Sequence, residues 1–186
     1  MAAPRDFERL SLAHLDAAYN LAYWLLRDRD DAQDVVQDAY LRAFRAYDGL
    51  AGEDIRPWLL TIVRNVAYRW LSARKRTANV ISFDSALPHR DDEDDRVLEV
   101  ASEHPSAEEQ LLSRADQRLV RSALAELPPI FREVIVLREF EGMTYQQIAD
   151  VTGVPIGTVM SRLARARDQL RDRLRPLLAQ ESRNAL

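Results

Sequence analysis

Three groups of side chains have types and spacing that suit chemistry. Thr158, Ser161, Arg162, Arg165 and Arg167 crowd one short stretch, where hydroxyl and guanidinium donors could meet base edges and phosphates. Arg64, Asn65, Arg69, Arg74, Lys75 and Arg76 form a second, cationic group, and its amide offers a base both donors and an acceptor. The third group is acidic: Asp30-Asp-Ala-Gln-Asp34 and Asp91-Asp-Glu-Asp-Asp95 both read DDxxD, a pattern whose carboxylates can hold a hard cation and, through it, a diphosphate. That metal reading is the weakest of the three. The second acidic run lies in a segment without apolar periodicity, and the first opens a helix, where acids favour the dipole. With no Cys, and with His14, His89 and His104 scattered, thiolate or histidine metal sites and thiol catalysis are excluded. The expectation is a chain that is not an enzyme, with no catalytic residue, metal or cofactor.

The overall balance argues at first against a nucleic-acid partner, since 186 residues carry a formal charge of −4. Counted by segment, the picture inverts. Residues 55–76 hold six bases and no acid, and 156–175 hold six Arg against Asp168 and Asp172. Residues 83–109 hold ten acids against Arg90 and Arg96, and so hide two basic ends behind one acidic middle. Residues 77–105 also carry Pro88 and Pro105 without a sustained apolar period, which predicts a flexible, solvated linker. The expected fold is all-α: two small helical domains, 1–76 and 106–180, joined by that acidic linker. No apolar run approaches a membrane span, and the N-terminus lacks a signal pattern, so a cytoplasmic chain without membrane insertion is expected.

Helical periodicity predicts a first helix over Phe7 to Leu26, a second from Asp30, as cap, to Tyr47, and a third from Pro57 to Arg76. A loop from Asp48 to Arg56 separates the last two. In the second half, Ser106-Ala-Glu-Glu109 reads as a capping box opening a helix that ends near Glu126. Leu127-Pro-Pro129 precedes a helix over Ile130 to Glu139. Thr144-Tyr-Gln-Gln147 is another capping box, and Pro155 starts a final helix reaching Leu178.

Ala149, Gly153 and Val159 have the spacing of a helix-turn-helix. A small residue lets two helices cross closely, glycine takes the positive φ of the turn, and an apolar residue pins the second helix on the first. An ordinary helical hairpin shares that spacing. The donor-rich face of the next helix, free of acids until Asp168, favours DNA binding.

Leu127-Pro-Pro-Ile-Phe-Arg-Glu-Val-Ile-Val-Leu-Arg138, this helix-turn-helix and Ser161-Arg-Leu-Ala-Arg-Ala-Arg167 together resemble region 4 of bacterial RNA polymerase sigma factors. Asp31-Ala-Gln-Asp-Val-Val-Gln-Asp-Ala-Tyr-Leu-Arg-Ala-Phe44 resembles region 2.2, and Pro57-Trp-Leu-Leu-Thr-Ile-Val-Arg-Asn-Val-Ala67 with Arg74-Lys-Arg76 resembles regions 2.3 and 2.4. Regions 2 and 4 joined directly are similar to the extracytoplasmic-function (ECF) subgroup.

The resemblance implies a factor that binds core RNA polymerase, recognises promoter −35 and −10 elements and helps melt the duplex. It assigns Asp34, Gln37, Asp38 and Arg42 to the clamp helices of the largest polymerase subunit, with region 4 meeting the flap of the second largest. Trp58, Arg64, Asn65, Arg69, Arg74, Lys75 and Arg76 fall to the −10 element, Trp58 being read as core before base stacking. Thr158, Met160, Ser161, Arg162, Ala164, Arg165 and Arg167 fall to the −35 element, where Met160 and Ala164 depart from the basic or bulkier residues of relatives. An anti-sigma factor is implied as a further partner. The acidic linker is expected to act as a spacer with some contact to the polymerase RNA channel. A helix-turn-helix repressor independent of polymerase would explain residues 127–175 but leave the first block unexplained.

Overall fold

A computed structural model describes residues 4–47, 54–81 and 117–184, with side chains over 7–47, 54–76 and 117–176. The described chain is all-α. Helices α1 (Pro4–Leu12), α2 (Leu15–Leu26), α3 (Arg29–Ala46) and α4 (Ile55–Ile81) form the first unit. The second comprises α5 (117–125), α6 (Pro129–Ile135), α7 (Tyr145–Thr152) and α8 (Ile156–Asn184).

In α3, Ala32, Val35, Val36, Ala39 and Ala43 follow the helical period and are buried, and the three alanines let the helix lie close to α2 and α4. Leu21, Ala22 and Leu25 answer from α2, and Leu60, Val63, Val66 and Ala67 from α4. A smaller cluster of Phe7, Ala43, Ile55 and Leu59 closes the outer end, with Phe7 edge-on to Phe44 at 5.6 Å.

Several boundaries differ from expectation. The anticipated first helix breaks at Ala13-His14, because Phe7 packs with Phe44 and Tyr47 while α2 enters the main core. The α3 cap is Asp28, not Asp30: Arg27 closes α2 in the left-handed conformation (φ 61°), and Asp28 accepts from the Asp31 N–H at 3.0 Å. Helix α4 runs five residues past Arg76, so the first part of the expected linker is helical. The last helix reaches Asn184, with Pro176 inside it. After Ile135 the helix widens into a π turn, Val136–Phe140. The Ser106 capping box, Asp91 to Asp95 and loop residues 48–53 lie outside the described residues.

The two units share one continuous core. Leu127, Val134, Ile135, Met143 and Ile148 of the second join Leu21, Trp24 and Val63 of the first in a single apolar cluster. Arg132, almost fully buried, ties them: its guanidinium donates to the Trp24 carbonyl at 2.6 Å and to the Ala125 and Leu127 carbonyls at 2.8 and 2.7 Å. Burial, then the charge of Arg27, lowers its pKa to about 10, so it stays charged at neutral pH.

Candidate nucleic-acid interface

The turn between α7 and α8 is built from local chemistry. Thr144 accepts from the Gln147 N–H at 3.2 Å and the Gln147 side chain accepts from the Thr144 N–H at 2.9 Å, a complete capping box. Gly153 then takes φ 69°, ψ 28° and donates its N–H to the Ala149 carbonyl at 2.8 Å. A side chain at that φ would be strained. Pro155 sets the first turn of α8 and its carbonyl accepts from the Thr158 and Val159 N–H groups. Val159, Leu163 and Ala166 are buried and fix which face of α8 turns outward.

That face presents Gly157, Met160, Ser161, Ala164 and Arg165, all exposed. Met160 is 49% exposed at the centre of the strip. The donors beside it are unequally free. Ser161 donates its hydroxyl to the Thr158 carbonyl at 3.0 Å, Arg167 pairs with Glu139 at 2.7 Å, and Arg162 lies 3.6 Å from Glu133. Thr158 is half-buried. Arg165 is the guanidinium that points outward from the strip itself.

On α4, Asn65, Arg69, Lys75 and Arg76 are exposed, and Asn65, Tyr68, Arg69, Ser72 and Arg76 line an open groove. Arg74 pairs with Asp31 at 2.7 Å across an exposed surface, an attachment weak enough to be exchanged for a phosphate. Trp58 packs into the outer cluster beside Tyr47, consistent with a core role. Arg64 departs from the expected free phosphate contact. Its Nε and Nη2 donate to the two oxygens of Glu133 at 2.7 and 3.2 Å, and its guanidinium covers the Tyr68 ring at 4.6 Å. Burial works against the Arg64 charge, but the hydrogen bonds and charge of Glu133 carry its pKa above the ordinary value. Burial, then the Glu133 carboxylate, pushes the Tyr68 phenol up.

Asp34, Gln37 and Arg42 lie exposed on α3 and Asp38 partly so, with Arg42 donating to Asp38 at 2.8 Å. The same face carries Leu41, 51% exposed, and Phe44, 49% exposed. Neither residue was expected there. The available signal was two apolar residues standing off the buried stripe of α3.

Residues 10–77 match the family described as Sigma-70 region 2, and residues 117–170 match Sigma-70, region 4. The chain is 34% identical over 175 residues to the RNA polymerase sigma-H factor of Pseudomonas aeruginosa, covering 94% of this chain and 89% of that protein. It is 35% identical over 176 residues to the ECF RNA polymerase sigma factor SigE of Mycolicibacterium smegmatis, covering 93% of this chain but 63% of that relative's length. Among solved structures, the sigma factor RpoE of Bartonella quintana, crystallised with the anti-sigma factor NepR, resembles it with a TM-score of 0.67 at 31% identity, over 92% of this chain and 98% of that one.

Proposed function

The chain belongs to the sigma-70 family, in its ECF group, and from that premise we propose that it binds core RNA polymerase and directs initiation at promoters whose −35 and −10 elements it recognises. The observation that carries the reading is the pairing of two separate cationic faces in one chain. One is the α8 strip beyond a Gly153 turn, and the other is the α4 groove containing Asn65. A repressor needs only the first. In this reading α8 enters the major groove, with Arg165 and Ser161 on base edges and Thr158, Arg162 and Arg167 on phosphate or packing. Asn65 holds a displaced base while Arg64, Arg69, Arg74, Lys75 and Arg76 meet the backbone of the single strand. Asp34, Gln37, Asp38 and Arg42 dock on the clamp helices, and region 4 docks on the flap. An anti-sigma factor regulates the chain, a partner class supported by the Bartonella quintana complex. No described helix is long and apolar enough to cross a membrane.

The deciding experiment adds purified chain to core polymerase on a genomic template library. Discrete start sites sharing two upstream elements are expected. Transcription unchanged from core alone rules the reading out.

Met160 and Ala164 refine the expectation for the −35 element. Apolar atoms at the centre of the strip have no hydrogen bond to offer, but they complement the thymine methyl group in the major groove. Once the element is mapped, replacing thymine by uracil at the base facing Met160 removes one methyl, costing about 0.8 kcal/mol or roughly fourfold in affinity. Met160→Ala should abolish that sensitivity. Equal binding of thymine and uracil templates throughout the element would refute the contact.

A further inference from the structure

Glu133 is 0% exposed, yet its carboxylate faces cations from both candidate DNA surfaces: Arg64 of α4 through two hydrogen bonds and Arg162 of α8 at 3.6 Å. Tyr68, one of the residues lining the α4 groove, also borders this cluster, beneath the Arg64 guanidinium. A carboxylate between two guanidinium groups reproduces what a backbone phosphate presents to them. Around it, Glu141 accepts from Arg56 and from Asn20 at 3.2 Å, and Asp54 accepts from Gln147 at 3.2 Å. These contacts also join the second unit to the first, at α2 and at the start of α4. The exposed α3 face, with Asp34, Gln37 and Leu41, lies outside this cluster.

We propose that Glu133 is an internal phosphate mimic that latches the free chain shut. It occupies the phosphate-binding guanidinium of α4 and one flank of the recognition helix, so that the free factor binds nucleic acid weakly until another partner separates the units. The inference rests on the proposed DNA-binding roles of α4 and α8. The latch is also selective. Breaking the shared core exposes apolar surface and separates a buried ion pair, so thermal opening is uncommon. A docked polymerase supplies the missing free energy by holding the two units apart, and promoter phosphates then take the place of Glu133.

Glu133→Gln tests this, because it keeps the shape while leaving Arg64 and Arg162 without a counter-charge. The chain has no Cys, so Glu8→Cys and Asp172→Cys give unique label sites on the two units. The free Glu133→Gln chain is expected to show a longer inter-label distance than the parent. It is also expected to bind a labelled single-stranded oligonucleotide carrying the mapped −10 sequence about tenfold more tightly. An unchanged distance overturns the latch. So does a lengthened distance without tighter binding, if the same variant still initiates with core polymerase; in that case the sigma reading survives and the shielding does not. Should Glu133→Gln fail to fold by circular dichroism, Asn20→Cys with Glu141→Cys, bridged by a short bismaleimide, replaces it. The bridged chain must bind the oligonucleotide about tenfold less than the same chain with its thiols singly blocked. Equal binding overturns the proposal.

Discussion

Replacing Arg132 by Met is expected to lower the melting temperature by about 6–12 °C. The substitution fills similar volume but removes every donor to the carbonyls of Trp24, Ala125 and Leu127. An orphaned buried acceptor costs about 1–3 kcal/mol. Part of the loss is returned, because a guanidinium no longer has to be desolvated, and burial already lowers the pKa of this one to about 10. A net loss of about 3 kcal/mol follows, and for a chain of this size each kcal/mol moves the midpoint by about 2–4 °C. Arg132→Lys should recover little, since an ammonium on a flexible stem cannot present a planar fork to three carbonyls. Calorimetry distinguishes a further point. Arg132 spans both units, so Arg132→Met should also split one transition into two as the units lose their tie. A midpoint within about 2 °C of the parent, in a single transition, would mean that solvent already satisfies those carbonyls.

Arg132 and its neighbour Glu133 also mark where the sequence stopped being legible. Within Phe131-Arg-Glu-Val134 both look like ordinary charges on a helix. Their burial depends on Trp24 and Arg64, the latter 69 residues away in the chain, and no local pattern announces such a partner. The capping box at Thr144 and the left-handed turn at Gly153 were readable because each is complete within a few residues. The helical stripe of α3 was readable for the same reason. The break at Ala13-His14 was not, since neither residue is a Gly or Pro, and the separation comes from Phe7 docking on Phe44 and Tyr47. In the candidate site, residue types and spacing singled out α4 and α8 as the two helices proposed to face DNA. They could not say that Arg64 and Arg162 are engaged by one acid while Asn65 and Arg165 stay open, because that division is made by tertiary packing.

Leu41→Ala should raise the dissociation constant for core polymerase by about 30-fold or more while leaving the melting temperature unchanged. The α3 face assigned to polymerase consists mainly of charges, and exposed charges supply little affinity: Arg42 is already satisfied by Asp38 at 2.8 Å, a surface pair worth about 0–1 kcal/mol. Leu41, on the same face and 51% exposed, is the apolar side chain free to bury on docking. Truncating such a centre costs about 2 kcal/mol or more, hence the size of the effect. Phe44 is a less clean probe because it also packs on Phe7. Alanine at position 41 favours the helix and removes no internal contact of comparable weight, so folding is preserved. Salt separates the two kinds of contribution. Asp34→Ala and Asp38→Ala should act chiefly on the association rate and fade as ionic strength rises, whereas the Leu41→Ala defect should sit in the dissociation rate and persist. Dissociation kinetics of labelled factor from core polymerase at low and high salt would read this directly. An unchanged dissociation rate for Leu41→Ala would place the docking surface elsewhere on the chain, because no other residue on this face exposes apolar area without also serving the core.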